Sequence, residues 1–120
     1  MIASGVDLIE IERVREAIAR HGDQFLNRIF TGAELKACAG RVESLAARYA
    51  AKEATAKALG CGIGDVSWQE IEILGNEIHA PRLILRGAAQ AMSNQLGLTT
   101  WSLSLSHTHE HAIAVVFAIA

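Results

Sequence analysis

Between Val42 and Leu59 the chain runs eighteen residues with neither glycine nor proline, and alanine dominates the run. Alanine loses no side-chain entropy on entering a helix, so this composition predicts a helix over the whole stretch. Its small side chains let another backbone approach closely, which marks the helix as the natural cover for a sheet. Gly60, Gly62 and Gly64 end it and make a flexible loop. Before it, Met1 to Ile9 reads as a strand feeding a helix at about Glu10 to His21, whose early carboxylates suit a positive helix N-terminus. Gly22 stops that helix. Asp23 is expected to cap a short helix ending near Phe30, and Thr31-Gly-Ala-Glu34 fits a capping box for a third. Trp68 to Leu74 reads as a strand with Ile71 and Ile73 on one face. Arg82 to Leu85 reads as another strand, and Gly87 to Leu96 as a helix closed by Gly97. Trp101 to His107 and Ala112 to Ile119 read as the arms of a terminal hairpin. Helices grouped in the first half, with hairpin-linked strands later, predict an α+β fold: a mainly antiparallel sheet packed against the long Ala-rich helix.

The single proline, Pro81, leaves nothing resembling a hinge, and 120 residues suit one domain over 1–120. A net charge of -2 argues against bulk, sequence-independent nucleic-acid binding, which needs a dense basic surface. Cys38 and Cys61 have no metal-ligand spacing and read as free thiols. The first residues lack the pattern of a secretory leader, and no apolar run approaches membrane-spanning length, so a cytoplasmic protein without a membrane partner is expected.

Three segments carry candidate chemistry. In Gly5-Val-Asp7 a carboxylate ends an otherwise apolar strand, with Glu10 following. The ordinary reading is an acidic cap for the next helix. The sharper one is a ligand for a hard cation, which takes one or two carboxylates, waters and substrate phosphates. In Arg48-Tyr-Ala-Ala-Lys52-Glu53-Ala-Thr-Ala-Lys57, Glu53 and Lys57 are four apart and share a helix face. An exposed salt bridge is the plain reading. The glycine turn that follows also offers backbone N–H groups to a phosphate, although no Gly-Lys-Ser/Thr of a Walker loop is present. In Ser104-Leu-Ser106-His107-Thr-His109-Glu-His111, three histidines on one strand face would suit zinc, whereas a turn among them would make the imidazoles diverge.

Taken together, Gly5-Val-Asp7-Leu-Ile-Glu10, Arg13, Phe30-Thr-Gly-Ala-Glu34-Leu, Arg48 through Gly62 and Ser104-Leu-Ser106-His107 resemble the holo-acyl-carrier-protein synthase family over nearly the whole chain. The resemblance implies an α+β subunit with the 4'-phosphopantetheinyl transferase fold, assembling as a homotrimer with sites between neighbouring subunits. It implies transfer of phosphopantetheine from coenzyme A to a serine of apo acyl carrier protein, releasing adenosine 3',5'-bisphosphate. Asp7 and Glu53 would hold Mg²⁺, and Lys57 would face the coenzyme A phosphates together with Gly60 and Gly62. His107 would lie by the nucleotide end, and the first helix, at Arg13 and Arg20, would dock the acidic carrier, with Arg28 extending that face. The serine proton would pass to Glu53 or to a water at the metal, and Ser106-His107 is no catalytic dyad because the nucleophile comes from the carrier. The family pattern has Gly-Lys-Pro or Gly-Arg-Pro where this chain has His79-Ala80-Pro81, without the basic residue. His109 and His111 have no place in the resemblance. The competing reading is a metal-dependent hydrolase built on the C-terminal histidines.

Overall fold

The computed structural model describes residues 1–75 and 80–120, so the expectation about His79 lies outside the described residues. Its elements in chain order are β1 (Ile2–Glu10), α1 (Ile11–His21), α2 (Asp23–Ile29), α3 (Gly32–Cys38), α4 (Val42–Ala58), a 3-10 turn (Trp68–Glu70), β2 (Ile71–Leu74), β3 (Arg82–Leu85), α5 (Gly87–Gln95), β4 (Thr100–His107) and β5 (His111–Ile119). This is the expected α+β arrangement, with antiparallel pairing throughout the named strands. The strands form two sheets, one ordered β1-β5-β4 and one ordered β2-β3.

The helix α4 lies across the larger sheet. Ala50, Ala51 and Ala54 are fully buried, as are Ala112, Ala114 and Val116 of β5. The alternation of the strands explains which residues meet it: Gly5, Asp7 and Ile9 of β1 point the same way as Leu103 and Leu105 of β4. The closest approach is at Gly5, where a Cβ would stand 1.9 Å from the Ala54 carbonyl oxygen. An isolated glycine inside a strand often marks such a contact.

The opposite sheet face carries an exposed apolar patch on β1 and β5, beside the serines of β4. Ile2, Val6, Leu8, Phe117 and Ile119 all expose their side chains there, Leu8 at 62%.

Polar side chains tie the smaller sheet to α4. Arg48 donates to the carbonyls of Ile73 and Gly75. Lys52, fully buried, donates to the carbonyls of Trp68 and Ile71 and pairs at 2.8 Å with the fully buried Glu34. The Glu34 carboxylate also accepts from the Thr31 and Ile73 amides, completing the α3 capping box and holding β2. Burial depresses the Lys52 pKa, and the Glu34 carboxylate opposes that effect.

This network accounts for a difference from the expected strand at Trp68 to Leu74. Trp68–Glu70 forms a 3-10 turn closed by a Ser67–Glu70 capping box, and pairing starts only at Ile71. Glu70 accepts from the amides of Ser67 and Ala88, which sends its carboxylate to the start of α5 instead of along a strand face. Gly22, not Asp23, is the N-cap of α2; Asp23 is its first residue and makes no capping bond. Glu10 closes β1, with α1 starting at Ile11. Among the described residues no helix is long and apolar enough to cross a membrane.

Candidate active site

One cleft of about 480 Å³ opens between the end of β1, the helices α1 and α2, and the middle of α4. Asp7, Arg13, Tyr49 and Glu53 supply its polar lining, and Ile9, Val14 and Phe25 contribute an apolar floor. Asp7 reaches it because its side chain is on the sheet face turned toward α4, and Glu53 because it lies one helical turn beyond Tyr49 on the same helix face. The two carboxylates feel one another. The pKa of Glu53 is pushed up first by burial and then by the charge of Asp7, with Lys57 opposing.

Lys57 does not make the expected pair with Glu53. Its ammonium bonds Asp7 Oδ1 at 3.1 Å and the Val6 carbonyl at 3.0 Å, crossing from α4 to β1. The reason is the close packing at Gly5, which brings the strand within reach of a lysine half-exposed at the helix surface. Asp7, Glu53 and Lys57 therefore form one constellation from positions 7, 53 and 57. Its donor chemistry fits a hard cation: two carboxylates crowded in one partly buried cleft, with open volume for waters and phosphate oxygens.

Arg13 lines the cleft and is exposed, and Arg28 ends α2 on the same side; both act on the Tyr49 phenol. The phenol pKa is raised by burial first, then by Glu53 and Asp7, against those two arginines. Arg20 lies exposed in the last turn of α1, outside the cleft lining. Glu12 pairs with Arg15 on the exposed face of α1 at 2.6 Å, so part of the acidic balance goes to a residue other than Arg13.

Gly60 and Gly62 follow the C-terminus of α4. His107 ends β4 beside Ala112, which packs on Ala46 and Ala47 near the other end of that helix. A helix of 17 residues is about 25 Å long, so these proposed nucleotide contacts are not brought together within one chain. The three C-terminal histidines are spread around a turn: His107 ends β4, His109 is in the turn and His111 starts β5, and only His109 and His111 line a common cleft. Among the described residues no three His, Cys, Asp or Glu side chains gather in a group able to hold a metal ion, so the zinc arrangement does not form there.

Tyr49, in the cleft lining, and Gly5, at the contact of β1 with α4, are positions that residue-by-residue reading missed. Tyr49 is four residues before Glu53, a spacing that already places both on one helix face. Gly5 stood out in the sequence only as part of a motif, although a glycine within a strand signals close backbone approach. Gly5→Ala is expected to force β1 off α4, because the obstructing atom is helix backbone and cannot swing aside. Overpacking of this kind is expected to lower stability by about 1–3 kcal/mol or more. It should also separate Asp7 from Lys57 and Glu53, so activity should fall even where the variant remains folded. Denaturant titration together with turnover checks both effects, and an unchanged midpoint with unchanged turnover would contradict the packing assigned to Gly5.

Comparison with known proteins agrees with this geometry. The holo-[acyl-carrier-protein] synthase of Herpetosiphon aurantiacus is 48% identical over 123 residues, covering 97% of each chain. That of Moorella thermoacetica is 47% identical over 118 residues, covering 96% of this chain and 91% of the relative. Among solved structures, Helicobacter pylori holo-[acyl-carrier-protein] synthase in complex with coenzyme A superposes with a TM-score of 0.87 at 32% identity, over 99% of this chain and 100% of that one. The Neisseria meningitidis enzyme gives 0.89 at 34% identity over the full length of both. A family model described as the 4'-phosphopantetheinyl transferase superfamily matches residues 3–116, and with relatives this similar over nearly their whole length, the chain belongs to that superfamily.

Proposed function

We propose that this chain, as a single domain over 1–120, transfers 4'-phosphopantetheine from coenzyme A to a serine of apo acyl carrier protein. The observation that carries the reading is the meeting of Asp7 and Glu53 in one cleft, with Lys57 bonded to Asp7, in a chain whose relatives are named for this reaction. The serine oxygen forms a bond to the β-phosphorus of coenzyme A, and the bond from that phosphorus to the bridging oxygen breaks. Adenosine 3',5'-bisphosphate departs, and the serine proton passes to Glu53 or to a water beside it. Asp7 and Glu53 are the residues that would hold Mg²⁺. Bound there, Mg²⁺ would neutralise charge on the pyrophosphate oxygens, the main requirement of phosphoryl transfer. Lys57, already turned toward Asp7, adds a positive charge beside the same oxygens. Release of adenosine 3',5'-bisphosphate that requires both apo carrier and Mg²⁺ is the expected result. Release from coenzyme A and water alone would indicate a hydrolase.

We also propose a homotrimer working in the cytoplasm, in the service of fatty acid synthesis. The apolar patch on the outer face of the β1-β5-β4 sheet supports burial against further copies, since Ile2, Val6, Leu8, Phe117 and Ile119 together are costly to leave in water. The separation of His107 from Gly60 and Gly62 supports a coenzyme A site completed by a neighbour, with His107 and the glycine turn drawn from different copies.

The carrier is acidic, and Arg13 at the cleft mouth, with Arg20 along α1 and Arg28 beyond it, forms the proposed docking face. Exposed charges are screened over about 10 Å at 0.1 M ionic strength, so steering by this face should fade with salt. Arg13→Glu is expected to raise the carrier KM strongly at low salt and to change the coenzyme A KM little. An unchanged carrier KM across a salt series would remove α1 from the docking surface.

A further inference from the structure

Tyr49 packs its ring in an aromatic cluster and brings its phenol to the lining of the cleft. Its ring is clamped between two others, stacked on Phe25 at 6.4 Å and tilted against Trp68 at 4.8 Å. That clamp fixes the direction of the phenol, so little rotamer freedom remains to be lost when the hydroxyl binds something. The hydroxyl is a polar tip on a half-buried residue lining the same cleft as Asp7 and Glu53. Among the described residues it has no hydrogen-bond partner. The other polar groups facing it divide by chemistry: Asp7 and Glu53 can only accept when ionised, and Arg13 lies at the exposed mouth. Beside the charged donors Arg13 and Lys57, Tyr49 is the neutral hydrogen-bond donor in the lining of that cleft.

Building on the transfer reaction above, we propose that the Tyr49 hydroxyl is a catalytic hydrogen-bond donor to an oxygen of the phosphoryl group in transit from coenzyme A to the carrier serine. The phenol keeps its proton throughout: it donates a hydrogen bond as charge gathers on that oxygen and takes no part in covalent chemistry. Being held in place by Phe25 and Trp68 before the reaction starts, it requires no reorganisation as the charge develops.

Tyr49→Phe isolates the hydroxyl, since the ring and both of its aromatic contacts remain. Transfer is measured with coenzyme A and apo carrier for wild type and variant, beside the denaturation midpoint and the affinity for coenzyme A by calorimetry. Hydrogen bonds to charged groups predict a fall in kcat of about tenfold or more. The carrier KM, the coenzyme A affinity and the midpoint should stay near wild type. A kcat unchanged within about twofold overturns the proposal. So does a loss confined to the carrier KM, which would put the hydroxyl against the carrier, and so does a loss matched by a lowered midpoint, which would make it structural. Should wild type itself transfer nothing, the reaction assigned to the cleft fails, a result distinct from equal activity in the two proteins.

Discussion

Asp7→Asn and Glu53→Gln are expected to lower transfer at saturating Mg²⁺ by at least about a thousandfold, the scale of several kcal/mol of charge stabilisation at a phosphoryl centre. Both substitutions keep shape and remove charge, so they separate cation binding from folding. The stability effects should be small beside the activity effects. Asp7→Asn gives up a part-exposed pair with Lys57, which is worth about 1 kcal/mol or less. Glu53→Gln removes a carboxylate whose pKa the fold has raised. A raised carboxylate pKa means that the ionised form is disfavoured in the folded state, a penalty present in full above the raised folded pKa, relieved as pH falls through it, and gone below the unfolded pKa. At neutral pH the glutamine variant should therefore be as stable as wild type or slightly more so, while inactive. Denaturant titrations beside kinetic assays test this. Near-normal turnover in either variant would break the assignment of the pair, and a large loss of stability would make the carboxylates structural.

Lys52→Met is expected to be the most destabilising change at a single side chain in α4. It leaves the Glu34 carboxylate buried without its counter-charge and takes donors from the carbonyls of Trp68 and Ile71. Removing one partner of a buried ion pair costs about 3–5 kcal/mol. Lys57→Ala, on the same helix but half-exposed, should cost about 1 kcal/mol or less. The contrast between two lysines five residues apart is the informative quantity, and equal losses would refute the account of how α4 is held. Because Lys52 precedes Glu53 and fixes the rotation of α4 against the 68–71 segment, turnover should fall in the methionine variant as well.

The sequence made the Ala-rich helix, the first strand, the terminal hairpin and the α3 capping box legible, since each depends on local composition or on a motif a few residues long. The pairing of Asp7 with Glu53 as proposed cation ligands came through the family resemblance, because a strand-end aspartate and a helix glutamate each have an ordinary local reading. What stayed hidden depends on partners distant in sequence. Lys57 reads locally as the mate of Glu53, yet it bonds to Asp7, fifty residues away, once Gly5 lets β1 settle on α4. Trp68-Gln-Glu70 directly precedes the alternation of Ile71 and Ile73, but its carbonyl and carboxylate groups are claimed by Lys52 and by the amides of Ser67 and Ala88. The same tethering keeps β2 and β3 as a sheet of their own. No window of a few residues contains that information.

The central claim, that the Asp7–Glu53 cleft performs phosphopantetheine transfer, is tested most directly by intact-protein mass spectrometry of an apo acyl carrier protein. The carrier is incubated with coenzyme A, Mg²⁺ and either wild type or the Glu53→Gln variant. A mass gain of one phosphopantetheine on the carrier serine with wild type, absent with the variant and absent when Mg²⁺ is chelated, is the predicted result. An unmodified carrier with folded wild-type protein, or a full gain with the variant, would contradict it.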